Sequence, residues 1–469
     1  RFSQSFYYKE TIEALIKKYK FHLENVIQEL AAIQAEKQSN SYDYDNRIYD
    51  DGNNGLIPVS ASQKNFIPQT QAHGIIGPVK ISNFLIGTYE KEFRDFLKSH
   101  PSLRISFERE NDNIFQRIIA ADEVELGIKI EHNFQESSYE EMERIASDYF
   151  HEPYDLFQGE LIRLFIVPGD NEGALLFMSI HHTITDMISN LELAKKLQDY
   201  YDKKYVSDSY MSNLDFVKIQ NDFLESDEAK NSKRFWNDKL TKSLLKNKTV
   251  NRKKYTECIK ERVLISGELL EDLITKVKQL RVPLNAKLMA LHQELLLPLR
   301  SEGKSIQSII VDGREQIDEN VNMNTLIGVV SNFLPVPVLF SKELNEHENI
   351  ISIYQDFMEA RQHQNIPYTV IRSDFMESSG IDIENNLAGI FNFQLQENVE
   401  VADTMSTSII TNYNTNDYTA GVDLICIKYK NALEIILTAH TSLREKYPMI
   451  SLKNLIKKNI DTLQSIDSY

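Results

Sequence analysis

Along residues 11–34 the apolar positions Ile12, Leu15, Ile16, Tyr19, Leu23, Val26, Ile27 and Leu30 recur at helical spacing with charges between them, which predicts an amphipathic helix. Residues 37–55 are polar, acidic and rich in turn formers, as in Asp50-Asp51-Gly52-Asn53-Asn54-Gly55, and read as an exposed linker. The chain thus divides into a helix at 1–36, a linker at 37–55 and a main body from Leu56 onward. One string near the start, Thr11-Ile12-Glu13-Ala14-Leu15-Ile16-Lys17-Lys18, is echoed by Ser451-Leu452-Lys453-Asn454-Leu455-Ile456-Lys457-Lys458. Either one kind of terminal helix occurs twice, or two unrelated helices share a Leu-Ile-Lys-Lys string.

In the body, Ala174-Leu175-Leu176-Phe177-Met178-Ser179-Ile180 is a short apolar run that predicts a buried strand. After it Met187, Ile188, Leu191, Leu193, Ala194, Leu197, Tyr200 and Tyr201 follow helical spacing, with Asp186 placed as the N-cap. A strand, a tight turn and a helix therefore meet at His181-His182. Apolar runs at 309–311, 328–340, 387–395, 421–427 and 433–438 predict further strands, separated by helices such as 269–280 and 288–297, the latter stopped by Pro298. This alternation predicts an α/β fold with mixed sheets. A shift toward Lys, Asn, Asp and Ser at 222–254 suggests a boundary between two halves, 56–225 and 226–469.

A chain of 469 residues exceeds one ordinary core and fits two to three domains of about 100–200 residues each. With 42% hydrophobic residues and only 16 Gly and 12 Pro, it is neither disordered nor collagen-like. Its 52 basic and 69 acidic residues give a net charge of −17, which repels phosphate backbones and anionic lipid. Nucleic acid is therefore not an expected partner. Cys258 and Cys426 are the only cysteines, too few for a disulfide framework or a Cys-based metal cluster, and a cytoplasmic location fits. No apolar run approaches the roughly 18 residues that would span a bilayer, so no membrane association is expected. The opening Arg1-Phe2-Ser3 lacks an initiator Met, which suggests a piece excised from a longer polypeptide or a product of tag removal.

The stretch richest in chemistry is His181-His182-Thr183-Ile184-Thr185-Asp186. Adjacent residues on a strand point to opposite faces, so one histidine can face a given cleft while the other is held in the core by hydrogen bonds. The residues alone leave two readings open for the cleft-facing ring, a packed and satisfied histidine or a general base. Because the two rings diverge and no third ligand is evident, no metal site is expected.

His-His-x-x-x-Asp after an apolar strand resembles the active-site motif of condensation domains of nonribosomal peptide synthetases, relatives of chloramphenicol acetyltransferase. The likeness recurs in order along the body. Pro58-Val59-Ser60-Ala61-Ser62-Gln63 resembles the opening motif, and His100-Pro101-Ser102-Leu103-Arg104-Ile105-Ser106-Phe107 a His-x-x-Leu-Arg-x-x-Phe segment. Phe235-Trp236-Asn237-Asp238-Lys239-Leu240 is similar to the stretch that begins the second half. Gly313-Arg314, Ile327-Gly328-Val329-Val330-Ser331-Asn332-Phe333-Leu334-Pro335-Val336, His363-Gln364-Asn365-Ile366-Pro367-Tyr368 and Ile390-Phe391-Asn392-Phe393-Gln394 resemble the later motifs. The helix at 1–34 resembles the closing helix of a preceding domain of the same family.

This resemblance implies two acetyltransferase-like lobes set in a V around a central channel, entered from opposite sides by the phosphopantetheine arms of donor and acceptor peptidyl carrier proteins. Those carriers and neighbouring synthetase domains are the expected partners, and the domain itself is expected to hold no cofactor. The implied chemistry is attack of an acceptor amine on a donor thioester, which forms an amide and releases a thiol. His182 would be the catalytic residue, either accepting the amine proton or orienting the nucleophile and hydrogen-bonding a tetrahedral intermediate. His181 would point away and support the turn, and Asp186 would fix the loop by pairing with Arg314. Met187, Ser189 and Asn332 are the candidates for lining the channel or positioning substrate. Arg104 is expected in an internal ion pair, Asn332 against backbone near the channel, and Trp236 as a core anchor.

One departure bears on activity. The family usually has glycine after the motif aspartate, and this chain has Met187. In the channel, that side chain would narrow it; its helical spacing with Leu191 and Ala194 slightly favours the core instead. Met187 keeps open a non-catalytic platform that binds carrier proteins or recruits a partner enzyme. An epimerisation relative would need a Glu-Gly-His-Gly-Arg-like stretch, and none precedes Ile327-Gly328, while a cyclisation relative would carry Asp at the first motif position. An ester-forming relative would differ in its nucleophile, a hydroxyl in place of an amine.

Overall fold

The computed structural model describes residues 56–440, except 71, 82–86, 112, 132–144, 147, 170–172, 205–210, 245–257, 298–304, 315–322, 324, 325 and 397–420. The helix expected at 11–34, the linker at 37–55 and the echoed string at 451–458 lie outside the described residues. In chain order come β1 (Ile57–Pro58), α1 (Ala61–Lys64), β2 (His73–Ile81), α2 (Tyr89–Lys98), β3 (Ile105–Glu110), β4 (Asn113–Ile118), β5 (Leu126–Ile130), β6 (Ile162–Pro168), β7 (Ala174–His181) and α3 (Met187–Tyr201). Next are α4 (Asn213–Leu224), α5 (Asp227–Ser243), β8 (Cys258–Ser266), α6 (Gly267–Gln279), α7 (Leu284–Leu296), β9 (Ile306–Val311) and β10 (Asn332–Pro337). Then follow α8 (Glu346–Arg361), α9 (Tyr368–Ser379), β11 (Leu387–Gln396), β12 (Val422–Tyr429) and β13 (Ala432–His440).

These strands form sheets of order β1-β4-β3, β2-β7-β6-β5 and β10-β9-β11-β12-β13-β8. The second is mixed, with β5 parallel to β6 and the rest antiparallel, and so is the third, where β11 runs parallel to both β9 and β12. The mixed α/β fold matches the expectation from the hydrophobic pattern. β7 lies between β2 and β6, and this central position explains why its sequence is a continuous apolar run instead of an alternating one.

Two large apolar cores result. One gathers Ile76, Phe93, Leu164, Met178, Ile180 and Leu193 around the β7 sheet, and the other gathers Leu288, Leu334, Phe391 and Leu424 around the third sheet. Each core borrows from the far part of the chain: Phe66 and Ala72 join the second, and Ile327 joins the first.

The polar stretch expected to mark a boundary at 222–254 is helical up to Ser243. Ala229, Ser232, Trp236 and Leu240 form a buried stripe along α5, and the Lys, Asn and Asp residues lie on its other faces. The strand expected at 328–340 is shorter, because Gly328–Ser331 spend their backbone groups on side chains instead of a ladder. The Val329 amide donates to Asn213 Oδ1, and the amides of Val330 and Ser331 donate to Asp186.

Candidate functional site

β7 ends on His181, which pairs with His73 of β2 in the sheet register. The His181 ring is fully buried: its Nε2–H donates to the Gln69 carbonyl at 2.8 Å, while Nδ1 accepts the Thr183 amide at 3.2 Å. Burial holds its pKa down to about 3, so the ring is neutral and locks the turn. Chain direction then reverses. The His182 amide donates to the Ala72 carbonyl at 2.8 Å, and Gln63 Nε2, from the opening motif, donates to the Thr183 carbonyl at 3.0 Å.

His182 alternates to the other side and lines a cavity of about 350 Å³. Its Nδ1 lies 3.1 Å from the Thr185 carbonyl, which can only accept, so Nδ1 carries the proton and Nε2 the lone pair. Burial lowers the pKa of the ring, against the opposing pull of the Thr185 carbonyl and the Asp186 carboxylate, and keeps the imidazole neutral near pH 7. Phe66 packs on it with ring centroids 5.5 Å apart. On its other side a Cβ at position 74 would stand 3.3 Å from the His182 Cε1 and 2.1 Å from Asn190 Nδ2, so Gly74 is what lets β2 pass this close.

Asp186 caps α3 and is the hub of the site. It accepts five hydrogen bonds: from Arg314 Nη1 at 2.9 Å and Nη2 at 2.8 Å, and from the amides of Ser189 at 3.0 Å, Val330 at 3.2 Å and Ser331 at 3.3 Å. Burial alone would raise its pKa, but the Arg314 guanidinium and these donors hold the carboxyl below its ordinary value. Arg314 reaches it because Gly313 adopts φ +70°, where a Cβ would lie 1.9 Å from the Val330 carbonyl oxygen. The structure therefore brings the expected Asp186 and Arg314 together from elements 128 residues apart.

The remaining candidates fall partly where expected: Trp236 anchors a core and Asn332 holds backbone, whereas Ser189 lies behind the cavity wall. Met187 is half-buried and lines the cavity instead of the core, because the first turn of α3 faces β9 and β11 across the cavity. Ser189 does not line it: 1% exposed, its hydroxyl donates to the Gly328 carbonyl and accepts from Arg314 Nη2 at 2.9 Å. Asn332 is likewise a brace behind the wall, its Nδ2 donating to the Gln364 and Ile366 carbonyls at 2.7 Å each and its Oδ1 accepting the Tyr368 amide at 2.8 Å. The Arg104 guanidinium donates to the carbonyls of Leu97 and Ile119. Trp236 is buried in the second core, with Nε1–H donated to the His363 carbonyl at 3.0 Å.

Residues missed by sequence reasoning complete the site: Phe66, Thr185 and, across the cavity, Asn392, Gln394 and Gln396 of β11. The Asn-x-Gln-x-Gln alternation at the end of an apolar strand was the available signal. Among the described residues no cluster of His, Cys, Asp or Glu could hold a metal ion, and no helix is long and apolar enough to cross a membrane.

A histidine and a capped aspartate after a central strand thus meet an arginine from the loop that follows β9. The condensation-domain family profile matches residues 81–463, and the chain belongs to that family. It is 23% identical over 323 residues to Gramicidin S synthase 2 of Aneurinibacillus migulanus, covering 66% of this chain and 7% of that one. With Tyrocidine synthase 3 of Brevibacillus parabrevis it shares 23% identity over 383 residues, 79% of this chain and 6% of that one. The chain thus spans less than a tenth of the length of these relatives.

Among solved structures, the condensation domain from the Monacolin K polyketide synthase superposes with a TM-score of 0.69 at 14% identity, covering 87% of this chain and 97% of that one. The epimerization domain from the third module of tyrocidine synthetase B superposes with a TM-score of 0.66 at 16% identity, covering 87% and 96%. Both carry the acetyltransferase-like fold of condensation domains.

Proposed function

We propose that this domain forms an amide bond between an acyl group held as a thioester on one carrier-protein arm and an amine held on a second. The observation that carries this reading is the neutral His182 at the cavity wall, with Nδ1–H committed to the Thr185 carbonyl. Its Nε2 lone pair is then the group that accepts a proton from, or orients, an attacking amine. Attack forms the C–N bond at the thioester carbonyl, the tetrahedral intermediate expels the thiolate, and the amine proton leaves by way of Nε2 to that sulfur. Because a thioester is already reactive, holding the two arms in line contributes alongside the proton transfer. The resident group is the side chain; the phosphopantetheine arms arrive as substrate.

Mixing the domain with two loaded carrier proteins tests this directly. His182→Ala should lower amide formation by about 10²–10⁴-fold, the usual contribution of a positioned general base. Unchanged product formation by His182→Ala would remove the ring from the mechanism. A second reading, a non-catalytic platform for carrier proteins, is favoured by Met187, whose side chain occupies cavity wall where the family's glycine would leave space. On that reading the parent binds both carriers and yields no amide with any donor, and Met187→Gly restores turnover only if the lost space is the reason.

A further inference from the structure

Asn190 is a polar residue at a position where packing calls for an apolar one. It shares the buried stripe of α3 with Leu193 and Leu197, and all three are fully buried. Neither its carboxamide nitrogen nor its oxygen meets a hydrogen-bonding group among the described residues. Burying an amide without partners is unfavourable, and leucine would fill the position at similar volume without that cost. Stability alone therefore does not explain the asparagine.

The carboxamide lies beside the ring of His182, across a space that Gly74 of β2 leaves open. A carbon placed on the Gly74 Cα would stand 2.1 Å from Asn190 Nδ2 and 3.3 Å from His182 Cε1, so amide and ring edge face the same gap. Two other flanks of the ring are taken. Nδ1 is tied to the Thr185 carbonyl, and Phe66 packs with its centroid 5.5 Å away. Of the residues on α3, Met187, Ile188 and Leu191 line the cavity and Asn190 does not, so it stands behind the ring and away from substrate.

Cε1–H lies between the two ring nitrogens and gains positive charge when the imidazole takes a second proton. An amide oxygen beside it then makes a C–H···O contact strengthened by that charge. In the structure the nitrogen end of Asn190 faces the gap. Because neither end is tied, the group can turn over and offer its oxygen once the ring is charged; a carboxamide anchored by hydrogen bonds could not. Of the titratable groups around the ring, His181 is kept neutral by burial and Asp186 is matched by Arg314.

We infer that Asn190 is a positioning residue, whose untied carboxamide turns its oxygen to the Cε1 edge of His182 as the ring accepts a proton and so steadies the imidazolium. The inference rests on the proposed function, in which Nε2 takes the amine proton and passes it to the leaving sulfur. Asn190 itself makes and breaks no covalent bond.

The test reads the ring directly in the whole chain, labelled with carbon-13 at histidine Cε1, with the His182 signal assigned as the one lost in His182→Gln. Asn190→Leu should lower the midpoint of that ring's titration by about 0.5–1 pH unit and slow amide formation between loaded carriers by about three- to tenfold, with KM unchanged. The acidic limb of the pH–rate profile should move down by the same amount. Since leucine removes an unmatched amide, the variant should melt no lower than the parent. Asn190→Ser keeps an oxygen acceptor and should recover part of the shift, and it serves in place of a leucine variant that fails to fold. A midpoint and an acidic limb within about 0.2 unit of the parent overturn the inference, as does a rate loss that follows a lowered melting temperature with the midpoint unmoved. A parent that yields no amide with any pair of carriers refutes the proposed function instead, and the titration still decides the role of Asn190.

Discussion

Arg314 and Asp186 offer the sharpest test of how the site is held. Their side chains are 4% and 3% exposed, so replacing Arg314 with Gln strands a carboxylate that water cannot reach. Breaking a buried ion pair in this way costs about 3–5 kcal/mol. Three backbone amides, those of Ser189, Val330 and Ser331, still face the carboxylate and place the expected loss at the low end, about 3 kcal/mol. Asp186→Asn should lose a similar amount, since the carboxamide carries no charge, keeps one acceptor of two, and turns an NH₂ toward groups that are themselves donors, Arg314 among them.

The double variant replaces both charges with carboxamides that can pair with each other. It should lose about 3–4 kcal/mol in total, not the sum, which corresponds to a coupling energy of roughly 2–3 kcal/mol. Urea unfolding of the four proteins at pH 7 reads this, with an uncharged denaturant so that the ion pair is not screened. Single losses that add to within about 0.5 kcal/mol would refute a coupled pair. The carboxyl is held below its ordinary value, so its contribution is present above the unfolded carboxylate range, about pH 3.9, and is lost as pH falls through the folded value.

Other tests follow from the same geometry. His181 has a folded pKa of about 3 against an ordinary 6.5, so the unfolded chain binds a proton that the folded one refuses between those values. Stability should fall on acidification below pH 6.5, by about 1.4 kcal/mol per pH unit from this ring alone, and a His181→Gln variant should show a pH slope shallower by one proton. An unchanged slope in calorimetric titration would exclude the ring as its source. Gly313→Ala sets a Cβ 1.9 Å from the Val330 oxygen at a φ of +70°, so it should destabilise by roughly 1–3 kcal/mol and reduce activity as Arg314 is displaced. Parent-like stability and rate would show that the turn has room to relax.

What the sequence discloses depends on how local the cause is. The β7 run, its two histidines and the Asp186 cap are legible because pleat alternation and capping act over a few residues. The pairing of Asp186 with Arg314 spans 128 residues, and no periodicity reports it; only the family resemblance placed it. Met187 shows the limit of helical spacing, which tells which residues share a face but not whether that face meets a core or a cavity walled by strands more than a hundred residues later. Ser189 was a candidate for positioning substrate, yet its hydroxyl is spent on the Gly328 carbonyl and Arg314, while Asn332 holds backbone near the cavity as its motif implied. Asn392, Gln394 and Gln396 sit where β11 runs on past its pairing with β9, a feature of the sheet and not of either strand.

The distribution of these bonds determines where the cavity can change width. Parting α3 from the loops at Arg314 and Val330-Ser331 would stretch four hydrogen bonds to one buried carboxylate, as well as the bond from the Ser189 hydroxyl to the Gly328 carbonyl. Width near the imidazole is therefore fixed by a network too costly to open in normal fluctuation. Farther along, the wall includes Ile188 at 43% and Leu395 at 63% exposure, apolar side chains with no such ties. On the proposed function, a bulky acyl group should be accommodated beside Ile188 and Leu395 by rotation of side chains, with the geometry at His182 unchanged; a shift of the Asp186–Arg314 pair on binding would refute this.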